Sequence, residues 1–268
     1  MFRHLVRSGA LLLTVVLAIT WEAPAVQAEP TASLTIAAAN SLREPLKAVL
    51  PLFEAQHKEV NVRIVYGPSQ TLRQQIEQGA PVDVYLPSSL DEIETLQDKG
   101  LIVGSPQIYG STALVLITGN SAPVTIASIQ DLHKPAVRRI AIGDPKTSSV
   151  GKFAAKFIRN ANFDQDLRSR YVYGEHSGAV LDLVAKGEAD VGLVYRTDAA
   201  QNRKVRIVAE TPADSHPPVI YGLAAVWTAR DLTLAREFGA FMVSTQAQAA
   251  LREHGFDQAT SNTSAAQR

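Results

Sequence analysis

Small polar turns that open into helices are the groups in this sequence best suited to binding chemistry. One of them, Pro68-Ser69-Gln70, follows an apolar segment and leads into a helix pattern in which Leu72 and Ile76 are four residues apart. The first N–H groups of a helix lack partners within it, and the helix dipole places partial positive charge there. The turn is therefore typical of an anion site, although an ordinary strand-turn-helix connection with Ser69 as the N-cap explains the same pattern.

Polar junctions of the same kind recur along the chain. They are Asn40-Ser41, Thr147-Ser148-Ser149-Val150-Gly151 after the turn Gly143-Asp144-Pro145, Glu175-His176-Ser177-Gly178, and Tyr195 at the end of an apolar strand. In open α/β sheets, ligands bind outside the carboxyl ends of the strands, where such junctions lie. Hydroxyl and backbone N–H donors without nearby positive charge favour a small, fully ionised anion, and each donor to a charged oxygen contributes roughly 1.5–3 kcal/mol.

Each junction residue also has a purely structural explanation. Ser41 has the spacing of a capping box with Glu44, His176 is typical of a solvated loop, and Tyr195 is typical of a tyrosine that anchors a loop at a strand end. The anion interpretation therefore depends on all the junctions meeting at one place.

Catalytic motifs are absent from the sequence. It has no Gly-x-Ser-x-Gly, no His-Glu-x-x-His and no glycine-rich nucleotide-binding pattern, and its six histidines lack metal-ligand spacing. The absence of cysteine excludes thiol chemistry. We therefore predict a binding protein rather than an enzyme, with no cofactor besides its ligand. A hydrolase that pairs Ser41 or Ser69 with His176 is the alternative from another class.

Composition and charge indicate an exported protein with a substantial core. The 268 residues are 46% hydrophobic, and Lys plus Arg balance Asp plus Glu at 26 each, which argues against a nucleic-acid-binding protein. Residues 1–28 combine an arginine-containing start, an apolar stretch and the ending Val26-Gln27-Ala28. This pattern predicts a signal peptide cleaved after Ala28 and a periplasmic protein, and no cysteine is present for a lipid anchor.

Strand and helix patterns alternate along the rest of the chain. The order is β-α-β-α-β-α up to Gly100, and a second α/β series follows an apolar strand at 113–118. A second long apolar strand at 219–226 precedes two C-terminal helices, while Pro51 should bend or interrupt the first helix. We predict an α/β fold with two lobes, each a mostly parallel sheet flanked by helices, joined by two crossover strands.

The two long apolar strands set the predicted domain boundaries. Lobe 1 comprises residues 29–111 and 222–268, and lobe 2 comprises residues 112–221. A cleft between two lobes is a favoured place for a ligand.

Five segments carry a family resemblance. They are TIAAANSL at 35–42, YGPSQTLRQQIEQGAPVDVY at 66–85, IGDP at 142–145, GEADVGLVYRTDA at 187–199 and PADSHPPVIY at 212–221. They resemble the periplasmic molybdate-binding proteins of bacterial molybdate ABC importers, and the motif Gln-Ile-Glu-x-Gly-Ala-Pro-x-Asp is fairly specific for that family. The resemblance implies the type II periplasmic-binding-protein fold, with molybdate or tungstate in the cleft.

The resemblance also implies the contact residues. Ser41 and Ser69 match two binding serines. Val150 and His176 match positions that donate a backbone N–H, and Tyr195 matches a tyrosine whose hydroxyl reaches the oxyanion. All five would contact oxyanion oxygens rather than ligate the metal atom directly. The turn at Ser69 departs from the family pattern, because Pro68 and Gln70 stand where small residues are common.

The implied partners are the oxyanion and a membrane ABC permease, and we expect a monomer that binds no nucleic acid. A different ligand remains open within the class of binding proteins: sulfate, phosphate, an organic acid or a ferric ion. Iron sites of this fold usually need paired tyrosines, and Tyr171-Val172-Tyr173 is a poor substitute for an adjacent pair.

Overall fold

The computed structural model describes residues 32–200 and 202–258, which form two five-stranded sheets flanked by helices. The predicted α/β class and two-lobed architecture are confirmed. The predicted signal peptide lies outside the described residues, as do the last ten residues of the chain. Across the described ranges, no helix combines the length and apolar composition needed to cross a membrane.

The elements are numbered here in chain order. The strands β1 to β10 span Ala32–Ala39, Val60–Gly67, Val84–Leu86, Ile102–Thr112, Leu114–Gly119, Ile140–Gly143, Tyr171–Gly174, Val191–Tyr195, Val205–Glu210 and Val219–Val226. The helices α1 to α9 span Arg43–Glu54, Ser69–Glu77, Leu90–Asp98, Ser149–Asn160, Asp164–Leu167, Ser177–Ala185, Arg196–Ala200, Leu232–Met242 and Thr245–Glu253. Short 3₁₀ turns lie at Asn40–Leu42, Ile129–His133 and Arg168–Arg170.

Both sheets have the same plan. The first has the strand order β2-β1-β3-β10-β4, in which β10 runs antiparallel to both of its neighbours and the other strands share one direction. The second has the order β7-β6-β8-β5-β9, in which β5 is the reversed strand. We call the first sheet with its helices the first lobe and the second sheet with its helices the second lobe.

The chain crosses between the sheets twice. Ala113 alone separates β4 of the first sheet from β5 of the second, and residues 211–218 lead back from β9 to β10. All of β10 pairs within the first sheet, so the predicted boundary at residue 222 falls inside a strand.

Aromatic rings fill the space where the two sheets meet. Tyr221 packs 6.0 Å from both Tyr109 and Tyr195 and 4.9 Å from Phe256, measured between ring centroids. All four side chains are buried. Burying such a ring contributes roughly 1.5–3 kcal/mol, and these rings belong to one buried apolar cluster that continues into both lobes.

Helix α1 differs from its prediction in two respects. It continues through Pro51, because Leu46, Val49 and Phe53 are fully buried and their packing offsets the roughly 3 kcal/mol cost of an internal proline. The prediction of a capping box between Ser41 and Glu44 is also wrong. A 3₁₀ turn precedes the helix and contains Ser41, so no side chain caps α1.

The aspartate of the family motif has a structural role. Asp83 is 1% exposed and accepts hydrogen bonds from the amide of Thr35 at 2.6 Å and from Arg230, through the amide at 2.8 Å and Nη2 at 3.0 Å. Burial alone would raise its pKa, but the hydrogen bonds and charge of Arg230 and the Thr35 amide outweigh burial and lower the pKa. Asp83 thus fastens β1 to the segment that follows β10.

Candidate functional site

A small pocket lies between the two sheets, at the carboxyl ends of their parallel strands. It is lined by Ala39, Asn40, Ser41, Gly67, Pro68, Ser69, Ser88, Ser148, Ser149, Val150, His176, Ser177 and Tyr195. All five predicted contact residues are in this set, so the structure brings the separate junctions together. The pocket is narrow: its volume of about 10 Å³ corresponds to about one water molecule and is too small for most organic ligands.

The first lobe contributes Ser69, the first residue of α2. Its hydroxyl accepts a hydrogen bond from the amide of Ser88 at 3.1 Å and lies 3.1 Å from the Ser88 hydroxyl, while Tyr85 donates to its carbonyl at 2.7 Å. The N-cap of α2 is Pro68, which has no side-chain cap, so the ordinary capping explanation for Ser69 is wrong. Ser69 is fixed instead by the end of β3.

Ser41 and Ser88 complete the first-lobe side. The Ser41 hydroxyl is buried and makes no hydrogen bond of normal geometry within the described ranges, although it lies close enough to the Tyr221 hydroxyl to oppose the rise that burial causes in the pKa of that phenol. A buried hydroxyl without a partner costs about 1–3 kcal/mol, so Ser41 is a donor available to a ligand. Ser88 was not predicted as a contact residue, although it follows a buried strand just as Ser41 and Ser69 do.

The second lobe contributes the start of α4. Ser148 caps this helix by accepting from the Gly151 amide at 3.3 Å, and Ser149 and Val150 follow as its first residues. The Ser149 hydroxyl is buried and has no hydrogen-bond partner in the described part of the chain. Ser149 is therefore a second candidate donor, which the sequence named only as part of the polar junction at 147–151 and not as a contact residue.

Glycine at position 151 allows α4 to approach the end of β6. A Cβ atom there would lie 2.5 Å from the carbonyl oxygen of Gly143 and 2.5 Å from the carbonyl carbon of Asp144. No side chain fits at such distances. The close approach is what places the first amides of α4 at the pocket.

His176 and Tyr195 complete the second-lobe side. The Nδ1 atom of His176 accepts from the amide of Ala179 at 3.2 Å and so caps α6, and burial lowers the pKa of its imidazole, which keeps the ring neutral. Tyr195 is 1% exposed; burial raises the pKa of its hydroxyl well above the usual value, so it remains a donor. Its amide donates to the Ser177 hydroxyl at 3.3 Å, and its own hydroxyl donates to the Ser88 carbonyl, also at 3.3 Å.

The pocket presents neutral donors. Its lining within the described residues includes no lysine, arginine, aspartate or glutamate, and it is surrounded by the starts of α2, α3, α4 and α6. Helix N-termini attract anions through their free amides and dipoles. The arrangement can hold an anion without an opposing cationic side chain.

An acidic group lies just outside the pocket. Asp198 on α7 lines an adjoining groove together with Asn40, Ser41 and His176. The residue is partly exposed, but its Oδ2 atom is shielded from solvent and unpartnered in the described ranges. Burial raises the pKa of this carboxyl to about 7, against an opposing hydrogen bond from Ser177.

The hydrolase alternative requires a serine hydrogen-bonded to a histidine. Among the described residues, Ser69 pairs with Ser88 and His176 pairs with Ala179, and neither Ser41 nor Ser69 is bonded to the histidine. Nor do three histidine, cysteine, aspartate or glutamate side chains of these residues converge in a way that could hold a metal ion. The geometry thus favours binding through hydroxyl and amide groups.

Comparison with known proteins identifies relatives over most of the chain. The model of a family described as bacterial extracellular solute-binding protein matches residues 34–257. A putative ABC-transporter substrate-binding lipoprotein of Bacillus subtilis is 31% identical over 85% of this chain and 87% of its own length. The molybdate-binding protein of Haemophilus influenzae is 30% identical over 84% of this chain and 90% of its own length.

A solved structure shows the same fold. The periplasmic molybdate-binding protein of Azotobacter vinelandii superposes with a TM-score of 0.75 at 23% identity and covers 85% of this chain and 100% of its own. Together with the sequence relatives, this match confirms the resemblance seen in the sequence.

Proposed function

The chain belongs to the bacterial extracellular solute-binding proteins, and from this membership and the pocket between its sheets we propose that it captures molybdate or tungstate for an ABC importer. In this proposal the protein works in the periplasm, where a signal peptide sends it, and passes the oxyanion to a membrane permease. The molybdate-binding relative from Haemophilus influenzae supports the choice of ligand.

The observation that carries the proposal is the set of neutral donors at the meeting point of two sheets. Ser41, Ser69 and Ser149 bring hydroxyls, and Tyr195 brings a phenolic hydroxyl that burial keeps protonated. Val150 and His176 bring backbone amides at the starts of α4 and α6. A tetrahedral dianion has four oxygens with lone pairs to satisfy, and charge-assisted bonds of roughly 1.5–3 kcal/mol each make such a set sufficient for tight binding.

Closure of the lobes is the proposed mechanism. Ser41 and Ser69 come from the first lobe, and Ser149, Val150, His176 and Tyr195 from the second. An open form offers the anion the donors of only one lobe at a time, so the ligand binds the closed form more tightly and shifts the population towards it. The permease then receives a closed, loaded protein.

Size rather than charge must separate the oxyanions. Sulfate has the shape and charge of molybdate but shorter bonds, so it reaches fewer donors of a rigid pocket at once. Sulfate is thus the competitor that a ligand test must include, and phosphate differs further because it carries a proton near neutral pH.

Isothermal titration of the purified protein with molybdate, tungstate, sulfate and phosphate tests the ligand. We expect saturable heats with molybdate and tungstate and much weaker binding of the other two. Heat with sulfate but none with molybdate would reject molybdate as the ligand, and the protein would then be assigned as a carrier of a different oxyanion.

A matched pair of serine variants tests the site. Ser69→Ala removes a pocket hydroxyl and should weaken molybdate binding about 10-fold or more, the value of one charge-assisted hydrogen bond. Ser105→Ala removes an exposed hydroxyl on β4 and should leave affinity unchanged. Equal affinities of both variants and the parent would place the site elsewhere.

A further inference from the structure

A charged cluster joins the two lobes beside the pocket. Glu92 on α3 is 1% exposed and accepts hydrogen bonds from Arg73 Nε at 2.8 Å and from Lys152 Nζ at 2.5 Å. Arg73 belongs to α2 of the first lobe, as Glu92 does to α3, but Lys152 belongs to α4 of the second lobe. The contact between Glu92 and Lys152 therefore crosses the cleft.

Gln70 reaches the same lysine. Its side chain is 6% exposed and lies against the turn before α4. Its hydrogen bonds are satisfied when the amide oxygen accepts from Lys152 Nζ at 3.1 Å and the amide nitrogen donates to the Lys146 carbonyl. Gln70, which departs from the family pattern in the sequence, thus has a partner on the opposite lobe.

We propose that Lys152, Glu92 and Gln70 form a latch that holds the lobes closed over the ligand and slows its release. This inference rests on the proposed function for the identity of the ligand, but not for the contact itself. Gln70 follows Ser69 directly, and Lys152 stands two residues after Val150, so the latch closes when the ligand donors meet.

Desolvation explains why the latch acts on closure. The carboxylate of Glu92 is buried and needs positive partners, and opening the cleft leaves it with Arg73 alone. Arg73 also forms an ion pair with Glu77 on its own helix, so it compensates the negative charge of Glu92 only in part. The Lys152 side chain is 42% exposed, so solvent screens part of the attraction and the effect on closure is moderate.

The latch predicts a distinctive kinetic effect. Lys152→Met should raise the dissociation rate of molybdate about 5- to 20-fold and change the association rate little, because it removes a contact of the closed state. The ratio of molybdate to sulfate affinity should not change, since the lysine does not line the pocket. A residue that touches the ligand would alter that ratio.

Lys156→Met is the matched control. Lys156 lies one turn further along α4 and is exposed, and within the described chain it has no ion pair. The Lys156→Met substitution removes the same charge from the same helix, so it reports how much the loss of one positive charge alone weakens the attraction of the anion. Gln70→Ala is a second test variant and should raise the dissociation rate less than Lys152→Met does.

Spin labels test the latch without a ligand. The sequence has no cysteine, so Asp98→Cys on α3 and Arg159→Cys on α4 give one labelled site on each lobe. Double electron–electron resonance should show a population of molecules with a short distance between the labels. The size of this population should decrease with Lys152→Met and with added salt. It should be unchanged with Lys156→Met.

The outcomes separate the latch from the proposed function. If no oxyanion binds the parent protein, the proposed function fails, while the distance measurements still support or reject the latch. If Lys152→Met leaves both the distances and the dissociation rate as in the parent, the latch is rejected whatever the ligand is.

Discussion

The hydroxyl of Tyr195 donates to the main-chain carbonyl of Ser88 across the cleft, at 3.3 Å. A phenolic hydroxyl has one proton to donate, and burial keeps that proton in place. In the proposed function, the Ser88 carbonyl and the oxyanion would compete for the same donor. Binding of the anion would then redirect the Tyr195 proton from the first lobe to the ligand.

Removal of this hydroxyl gives the first prediction. Tyr195→Phe should weaken molybdate binding about 10- to 100-fold, because a donor to a charged oxygen is lost and the ring still packs. Titration calorimetry provides the measurement. Tyr109→Phe is the control, since the Tyr109 hydroxyl is also buried but does not line the pocket. Equal losses in both variants would mean that the effect comes from packing between the lobes.

Ser149 gives the second prediction. In the free protein, Ser149→Ala removes a buried hydroxyl that has no partner in the described ranges, so the free energy of unfolding should stay constant or rise by up to about 1 kcal/mol. Molybdate affinity should fall about 10-fold. Ser148→Ala instead removes the α4 N-cap and should lower the free energy of unfolding by about 0.5–2 kcal/mol. Full molybdate affinity in Ser149→Ala would exclude its hydroxyl from the site.

Asp198 gives a prediction on pH. Its pKa of about 7 lies above the unfolded value of 3.8, so between these values the folded protein holds a proton that the unfolded chain has released. The free energy of unfolding should therefore fall as pH rises towards 7, by up to about 1.4 kcal/mol per pH unit. Asp198→Asn should remove this dependence and be the more stable protein at pH 8.

Urea unfolding of both proteins from pH 5 to pH 8 measures the effect. His176 acts in the opposite direction, because burial lowers its pKa and stability is lost as pH falls below its unfolded value of 6.5. That contribution is common to both proteins and cancels in their difference. A stability difference that stays constant with pH would show that Asp198 has an ordinary pKa.

Asp83 gives a prediction on stability. Asp83→Ala should lower the free energy of unfolding by about 1–3 kcal/mol, since it leaves the Thr35 amide without its buried partner, while the exposed Arg230 side chain can turn to solvent. Asp98→Ala, at an exposed position on α3, should change it by less than about 0.5 kcal/mol. Chemical denaturation of the two variants measures the difference. Similar denaturation midpoints for Asp83→Ala and Asp98→Ala would contradict the structural role of Asp83.

Periodic patterns predicted most elements of the fold. The strand at 219–226, the apolar strand that ends at Tyr195 and the two C-terminal helices lie where the apolar residues placed them. Gly79 and Gly187, both with positive φ, follow the ends of α2 and α6. These positions report burial and backbone conformation, which a single sequence expresses directly.

The strand β4 was missed for a physical reason. Its sequence contains Gly104, Ser105, Pro106 and Gly110, residues typical of turns. They are tolerated because β4 lies at the edge of the first sheet and pairs with β10 through irregular register. Pairing between distant parts of the chain, rather than local preference, makes this segment a strand.

The residues of the candidate site were predictable where a junction has a polar turn before a helix, as at Ser69 and His176. Ser88 and Ser149 could not be distinguished as contact residues, because their place in the pocket arises from the approach of the two sheets. The role of Gln70 likewise depends on Lys152, which lies on the other lobe.

The position of β10 also determines the order in which the protein can fold as it is made. This strand lies between β3 and β4, yet it follows every strand of the second sheet in the chain. The second sheet can therefore assemble from a growing chain while the first still lacks the strand between β3 and β4, whose edges stay unpaired. Exposed edges of this kind invite wrong pairing, so an incomplete chain needs protection until its last quarter has emerged.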